Sequence, residues 1–271
     1  MILQFQFLKV ESGENKRKNI LTITLQRPEI HNAFNEVLIK ELTDAFSSVP
    51  KQFAESRAVI LTGTGQSFSA GADLNWMKKM VNYSKEENER DSHLLYDMFY
   101  AIRNCPLPVI GRINGNAFGG GSGIVAACDI SFSLDIAKFG FTEVKLGLVP
   151  AVISPFVLQK IGIPNASRYF LTGERFGVVQ AKSMNLIQDY FKTETELDET
   201  IDKIVNEFQN NGPNAVRISK ELIQKVSTMN INDNSTKAFV ASTIAAVRVS
   251  NEGQNGLNSF FKKEKPSWQQ Q

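Results

Sequence analysis

Apolar and polar positions alternate along residues 20–26, ILTITLQ. Leu21, Ile23 and Leu25 fall on one face and Thr22, Thr24 and Gln26 on the other, which predicts a strand. Arg27-Pro28 ends it. From Asn35, a candidate N-cap, the period lengthens: Leu38, Leu42, Ala45 and Phe46 recur at helical spacing. RAVILTGTG (57–65) reads as a buried strand stopped by glycines. Leu95, Met98, Phe99 and Ile102 predict a helix over 94–102, and PVIGRING (108–115) another strand. A helix-like IVAACD (124–129) follows, then two short strands at ISFSLD (130–135) and AKFGFTEV (137–144). The charged run 82–92, NYSKEENERDS, reads as a mobile loop or a solvated helix start.

Beyond about residue 150 the pattern changes. Ala215, Ile218, Leu222, Val226 and Met229 keep helical spacing, and TKAFVASTIAAVRV (236–249) is helix-like as well. A strand–helix front followed by a helical back predicts an α/β core, 1–195, with a helical C-terminal region, 196–271.

The 271 residues, 42% hydrophobic and 21% charged, suit a soluble enzyme-sized protein with a sizeable core. A net charge of +2 is too small to mark a nucleic-acid binder, and it leaves room for a local basic patch facing a phosphorylated ligand. Two cysteines without a CxxC, and two histidines far apart (His31 and His93), offer no zinc site and point to a reduced, cytoplasmic protein. At the N-terminus the basic residues follow the short apolar run, the wrong order for a secretory signal. No apolar run approaches the roughly 18 residues of a membrane span.

The stretch Asn114 to Asp129, NGNAFGGGSGIVAACD, invites a nucleotide-loop reading. No Lys follows the glycines, as a P-loop requires, and counting GxGxxG from Gly119 puts Ile124 where the last glycine belongs. Ser122 also misses the centre of a GxSxG elbow. Two uses stay open. One is a tight, closely packed turn. The other is a helix start whose backbone N–H groups face developing negative charge, an oxyanion hole. SFSAGADLNWM (67–77), small residues between a strand and a helix, is a candidate for the second donor segment.

FSAGADL (68–74), NGNAFGGGSG (114–123) and FGFTEVKLGLVP (139–150) together resemble the enoyl-CoA hydratase/isomerase (crotonase) family. RPEIHNAFN (27–35) looks like its N-terminal signature and NSFFKKEKPSW (258–268) like its C-terminal helix, so the likeness spans almost the whole chain. GADLNWMKKM and GLVPAVISPFVLQKIG look most like the bacterial methylglutaconyl-CoA hydratases within it. The resemblance implies a spiral of ββα repeats with a helical trimerisation region, and a homotrimer or dimer of trimers. It also implies an acyl-CoA substrate, with no metal and no cofactor besides the coenzyme A that the substrate carries.

By that resemblance the N–H groups of Ala72 and Gly120 bind the thioester oxygen, and Glu143 does the proton chemistry from an apolar surrounding that raises its pKa. A second family glutamate would fall on Gly123 and is absent. Ala33, Ala70, Asp73, Leu74 and Gly121 match segments that hold coenzyme A and substrate. Trp76 and Met77 border the acyl chain, and Phe260 and Lys263 meet the coenzyme from the C-terminal helix. Read without the family, Leu74, Met77 and Val81 are a core stripe, Glu143 is a surface residue and the Lys263 run is a solvated helix end. Three functions follow: hydration with Glu143 as both base and acid, isomerisation with Glu143 as sole base, or a non-catalytic relative that binds acyl-CoA or RNA.

Overall fold

Two sheets are wound from one stretch of chain in the computed structural model, which describes residues 4–52 and 54–270. Met1 to Leu3 of the apolar start, Phe53 and Gln271 lie outside the described residues. In chain order the elements begin β1 (Leu8–Ser12), β2 (Ile20–Leu25), α1 (Glu36–Gln52), β3 (Ala58–Gly63), β4 (Ser67–Ser69), α2 (Leu74–Met80) and α3 (Lys85–Arg103). Next come β5 (Val109–Ile113), β6 (Asn116–Phe118), α4 (Gly120–Ala127), β7 (Ile130–Leu134), β8 (Lys138–Gly140) and α5 (Ser154–Thr172). The chain continues through β9 (Arg175–Gly177), α6 (Val178–Ser183) and β10 (Asp189–Phe191). It closes with α7 (Glu194–Asn210), α8 (Pro213–Val226), α9 (Asn234–Val249) and α10 (Asn251–Lys262).

The larger sheet has the order β1-β2-β3-β5-β7-β10 and the smaller β4-β6-β8-β9. In the larger, only the β1–β2 pair is antiparallel; in the smaller, only β8–β9 is. Successive segments, β3–β4, β5–β6 and β7–β8, each lay one strand in each sheet before a helix. This is the expected ββα spiral. Because the strands run parallel, the loops leaving their C-terminal ends collect on one edge, where α/β folds place ligands.

β3 is apolar throughout because both of its faces are covered. Val59 and Leu61 pack in the main core with Phe46, Phe99 and Phe139. Ala58 and Ile60 pack on Leu197, Ile201 and Val205 of α7. Outside this layer Arg17 bridges Asp198 and Asp202, and Arg112 on β5 bridges Asp198 and Glu194, so charged pairs tie α7 to the sheet.

Several boundaries differ from the sequence expectation. Of the two readings of the run 82–92, the solvated helix start is the one found: a capping box joins Ser84 and Glu87, and α3 starts at Lys85. Its apolar stripe begins late because its first turns are solvated. α4 starts inside the glycine run, at Gly120, not at Ile124. Glu143 opens a 3-10 turn, Glu143–Leu146, beyond the end of β8. α8 stops before Met229. α10 ends with Lys263 left-handed at φ 59°, so only the first part of NSFFKKEKPSW is α-helical and its end, Ser267–Trp268, lies in a 3-10 turn. Among the described residues, no helix is long and apolar enough to cross a membrane.

One buried polar knot joins the helical back to the core. Lys220 Nζ of α8 donates to Leu107 O at 2.9 Å and to Asp129 Oδ2 at 2.6 Å, and Asp129 also takes Arg103 and the Val109 N–H. Lys220→Met leaves a buried carboxylate short of its principal cation. Urea unfolding should show a loss of roughly 3 kcal/mol; an unchanged midpoint would contradict the assignment of this knot as a structural anchor.

Candidate active site

Three loops meet at the C-terminal edge of the sheets: 27–35 after β2, 70–73 after β4, and the start of α4 after β6. The first two are joined by a parallel bridge. Phe34 N–H donates to Gly71 O at 2.8 Å, Asp73 N–H to Phe34 O at 3.0 Å, and Ala70 N–H to His31 O at 2.8 Å. Beneath them lies a buried ion pair. Arg27 Nη2 donates to Asp73 Oδ2 at 2.9 Å, and Arg27 Nη1 to Ala33 O at 2.7 Å. Asp73 Oδ1 meanwhile caps α2 by accepting from Asn75 N–H at 2.7 Å. Burial pushes the Asp73 carboxyl up, but the hydrogen bonds from Asn75 and Arg27 outweigh it and hold the group below its ordinary value. The Asp73 side chain therefore faces inward and is fully engaged.

The 70–73 loop presses on α4 backbone to backbone. Gly71 is left-handed at φ 86°, and a Cβ there would lie 2.7 Å from Phe118 O and 3.3 Å from Gly120 N. A Cβ on Gly121 would lie 2.3 Å from Ser69 O, and one on Gly120 would lie 2.2 Å from Cζ of the buried Phe34 ring. Ala72 and Gly120 are thus held side by side. Neither N–H is a donor in the hydrogen bonds among the described residues. Gly120 is the first residue of α4, where N–H groups have no intrahelical partner. Ser122 is no nucleophile: its hydroxyl donates to Ala117 O at 2.7 Å and accepts from Gly140 N–H at 3.3 Å, tying α4 to β6 and β8.

Glu143 faces this helix start. A Cβ on Gly119 would lie 3.3 Å from Glu143 Oε1, and Glu143 Oε2 is buried without a hydrogen-bond partner. Burial pushes the carboxyl above its ordinary value, and a hydrogen bond from its own backbone N–H offsets only part of that. The direction agrees with the sequence expectation. Position 123 lies one turn into α4 and has no room for a side chain. A Cβ there would lie 2.5 Å from Ile153 Cγ2 and 3.0 Å from Phe99 Cε1. Apolar packing therefore occupies the space that a second carboxyl at this position would need.

The remaining candidates divide. Ala33 is buried, Ala70 and Leu74 are exposed, and Met77 is half-buried, all on the two bridged loops and the first turn of α2. Trp76 is a core residue, 2% exposed, with its ring centroid 6.3 Å from that of Phe34. Phe260 and Lys263 are not brought to these loops. α10 packs on α8 and α9, and Phe260 stands 76% exposed beside Phe261. Sequence reasoning missed Phe34, Asn32, Asn114 and Ile153. Asn32 and Asn114 stitch the strand ends together, donating to Thr64 O and Gly65 O respectively at 2.8 and 2.9 Å. A signal for Asn32 lay in the loop itself, since Asn tolerates the left-handed φ of 52° that it adopts. Among the described residues, no group of three or more His, Cys, Asp or Glu gathers to hold a metal ion.

Comparison with known proteins identifies the family and the fold. Residues 15–271 match the family model described as enoyl-CoA hydratase/isomerase. The solved enoyl-CoA hydratase of Shewanella pealeana superimposes with a TM-score of 0.92 at 35% identity, covering 98% of this chain and 97% of that one. The short-chain-enoyl-CoA hydratase of Clostridium acetobutylicum is 29% identical over 252 residues, 92% of this chain and 94% of that protein. A Delta(3,5)-Delta(2,4)-dienoyl-CoA isomerase of Arabidopsis thaliana is 27% identical over 263 residues, 93% of this chain and 94% of that protein.

Two outcomes test the site's packing and electrostatics. Gly123→Ala should cost about 1–3 kcal/mol in chemical denaturation through overpacking, and Ile153→Ala in the same chain should recover part of it. Full stability in the single variant would mean that Ile153 yields freely. The second concerns Glu143. The folded protein holds this proton more tightly than the unfolded chain does, so ionising the group opposes folding. That cost is absent below the unfolded pKa, grows as pH rises through the folded pKa, and persists above it. Glu143→Gln should therefore melt higher than the wild type at neutral pH, with the advantage disappearing below roughly pH 4. A pH-independent difference would show that the carboxyl is not desolvated.

Proposed function

The chain belongs to the enoyl-CoA hydratase/isomerase family, and from that premise we propose that it is a one-carboxylate hydro-lyase. In this reading it adds water across the α,β double bond of an enoyl-CoA thioester. The thioester oxygen accepts hydrogen bonds from Ala72 and Gly120 N–H. Water oxygen bonds to the β carbon while the Glu143 carboxylate takes its proton, and the π electrons move onto the thioester oxygen as an enolate. The enolate then collapses, Glu143 returns the proton to the α carbon, and the carboxylate is regenerated. Each backbone donor aimed at the developing oxyanion is worth roughly 3–4 kcal/mol of barrier. A carboxylate with a raised pKa is the stronger base for the first step, and a pKa nearer the working pH lets the same group hold the proton until the second.

The observation that carries this reading is the buried, unpartnered Glu143 Oε2 beside the Gly119–Gly120 helix start. For the acyl group we favour 3-methylglutaconyl-CoA or a related short or branched enoyl group, on the sequence likeness of residues 71–80 and 147–162. Coenzyme A would lie along the bridged loops, meeting the backbone of Ala33, Ala70, Asp73 and Leu74, with Gly121 behind them and Met77 and Trp76 bordering the acyl end. Phe260 and Lys263 would reach it from another copy, in a trimer or dimer of trimers. Ile223, Val240 and Ile244, exposed on α8 and α9, are apolar positions that such a contact would cover. Cys105 and Cys128 are free and buried, as suits a reducing, cytoplasmic setting.

A second reading is isomerisation, and the packing at Gly123 favours it. With Ile153 and Phe99 against that position, a single base is available, and a shift of the double bond needs only one to move a proton from the α to the γ carbon. A substrate panel separates the two. The enoyl thioester absorbance of 3-methylglutaconyl-CoA and crotonyl-CoA should fall on hydration, and Glu143→Gln should slow this by about 10²–10⁴-fold. If only a 3-enoyl-CoA reacts, gaining that absorbance, the enzyme is an isomerase. Binding of acyl-CoA or RNA without turnover of any thioester would remove both readings.

A further inference from the structure

A second polar cavity lies on the edge of the sheet opposite the candidate active site. Its volume is about 240 Å³. Asn19 and Arg57 stand just before β2 and β3, at the N-terminal ends of those strands, and Arg57 N–H donates to Asn19 O at 2.7 Å. The 70–73 loop lies past the other end of β3, and six residues of strand separate the two edges by about 20 Å.

Every residue lining the cavity carries a hydrogen-bonding side chain, and none is a carboxylate. Four elements supply them. Asn15, Lys18 and Asn19 come from the turn before β2, Arg57 from the approach to β3, Asn206, Gln209 and Asn210 from the end of α7, and Trp268 and Gln269 from the C-terminal 3-10 turn. The scaffold is fixed by bonds that spend the donors of Gln209, Trp268 and Gln269 and leave Arg57 Nη1 and the Lys18 ammonium unpartnered among the described residues. Gln209 Nε2 donates to Lys16 O and Lys18 O, Trp268 Nε1 and Gln269 Nε2 donate to Asn210 O, and Arg17 anchors the turn on Asp198 and Asp202. Asn15 and Asn19 are both left-handed, at φ 51° and 61°, which bends the turn around Lys18.

Arg57 is the odd member. Its Nη1 is buried without a hydrogen-bond partner, and no ion pair engages it among the described residues. Burial pushes its pKa down, Glu252 raises it and Arg217 lowers it again. A guanidinium with a buried free donor, an ammonium and several amides around one cavity, with no acid among them, is the donor set of an oxyanion site. Donors arriving from four elements suit a tetrahedral anion better than a planar one. The indole and the remaining volume leave room for a small polar body attached to it.

We propose that this cavity is a second binding site, remote from the candidate active site, for a phosphoryl group carried free or on a small polar molecule, held by Arg57 and Lys18. It stands independently of the hydratase reading. Phosphorus NMR line broadening tests it, titrating the full chain with inorganic phosphate at an ionic strength held constant with chloride. Saturable binding below roughly 10 mM is expected. Affinity should fall about tenfold in Arg57→Gln and in Lys18→Gln, while Lys16→Gln, in the same turn but outside the cavity, keeps the wild-type curve. Lys18 is exposed, so its variant remains informative if Arg57→Gln unfolds. A second arm uses adenosine 3′,5′-bisphosphate, the phosphorylated end of coenzyme A. If it displaces phosphate from the wild type and loses affinity in Lys18→Gln, the ligand is a nucleotide phosphate; if it does neither while phosphate binds, the ligand is a smaller phosphate. Wild-type phosphate affinity in both cavity variants, or no saturable binding by the wild type, overturns the proposal.

Discussion

The site rests on a close approach of two backbones. The 70–73 loop and the first turn of α4 come together with no side chain between them, and glycine stands at 71, 120 and 121 because a Cβ at each would overlap backbone or ring atoms. Everything nearby serves that contact. The Arg27–Asp73 pair fixes the 70–73 loop from below, Asn32 and Asn114 hold the strand ends, and Ser122 pins α4 to the two strands behind it. The result is two N–H groups without a hydrogen-bond partner among the described residues, at Ala72 and Gly120, held by packed elements, as the proposed electrostatic preorganisation requires. A flexible loop carrying the same donors would lose part of their effect in ordering them.

Glu143 shows the opposite economy of stability. It is a partly buried carboxyl with one oxygen unpartnered, a condition that costs folding free energy at neutral pH. The surroundings could have supplied a cation and do so elsewhere: Asp73 has Arg27, and Asp129 has Lys220 and Arg103. Those two carboxylates are structural. The one that lacks a partner is the one facing the helix start, so the same desolvation that weakens the fold leaves that carboxyl available for the proposed acid–base role.

How much of this was legible in the sequence depended on the range of the interaction responsible. β2, β3, β5 and β7 were readable because burial alone sets their pattern, the family resemblance implied the ββα spiral, and it named Ala72, Gly120 and Glu143, which the fold brings near one another. The first turns of α3 were not readable as a firm helix, because they are solvated and rest on the Ser84–Glu87 capping box rather than an apolar stripe. β4, β6 and β9 of the smaller sheet are three residues each, too short for a period to show, and β8 was read as a strand but drawn too long. Ile153 could not be linked to Gly123 from sequence, since 30 residues separate them and only the packing of α5 on α4 brings them together. The resemblance set Trp76 beside the acyl chain, and its burial against Phe34 puts it in the core, while Leu74 and Val81 of the expected core stripe are exposed.

α4 joins these observations. It is eight residues long, and seven of them, Gly121 to Ala127, are buried. Its N-terminus points at the proposed oxyanion, and its C-terminus is held by the largely buried Lys160, whose Nζ donates to Cys128 O and Asp129 O at 2.9 Å. An ammonium at a helix C-terminus stabilises the aligned peptide dipoles there, as an anion does at the other end. Burial pushes the Lys160 pKa down, and two carbonyls and the nearby Asp129 keep a charge tolerable in that place. Ser122 and Lys160 tie α4 to its neighbours on either side of position 123, where Ile153 and Phe99 fill the space. The tight seat that gives Gly120 its exposed N–H is therefore also what excludes a second carboxyl one turn later. An N–H at Gly120 without a partner among the described residues and the lack of space for a side chain at 123 are two consequences of one packing arrangement.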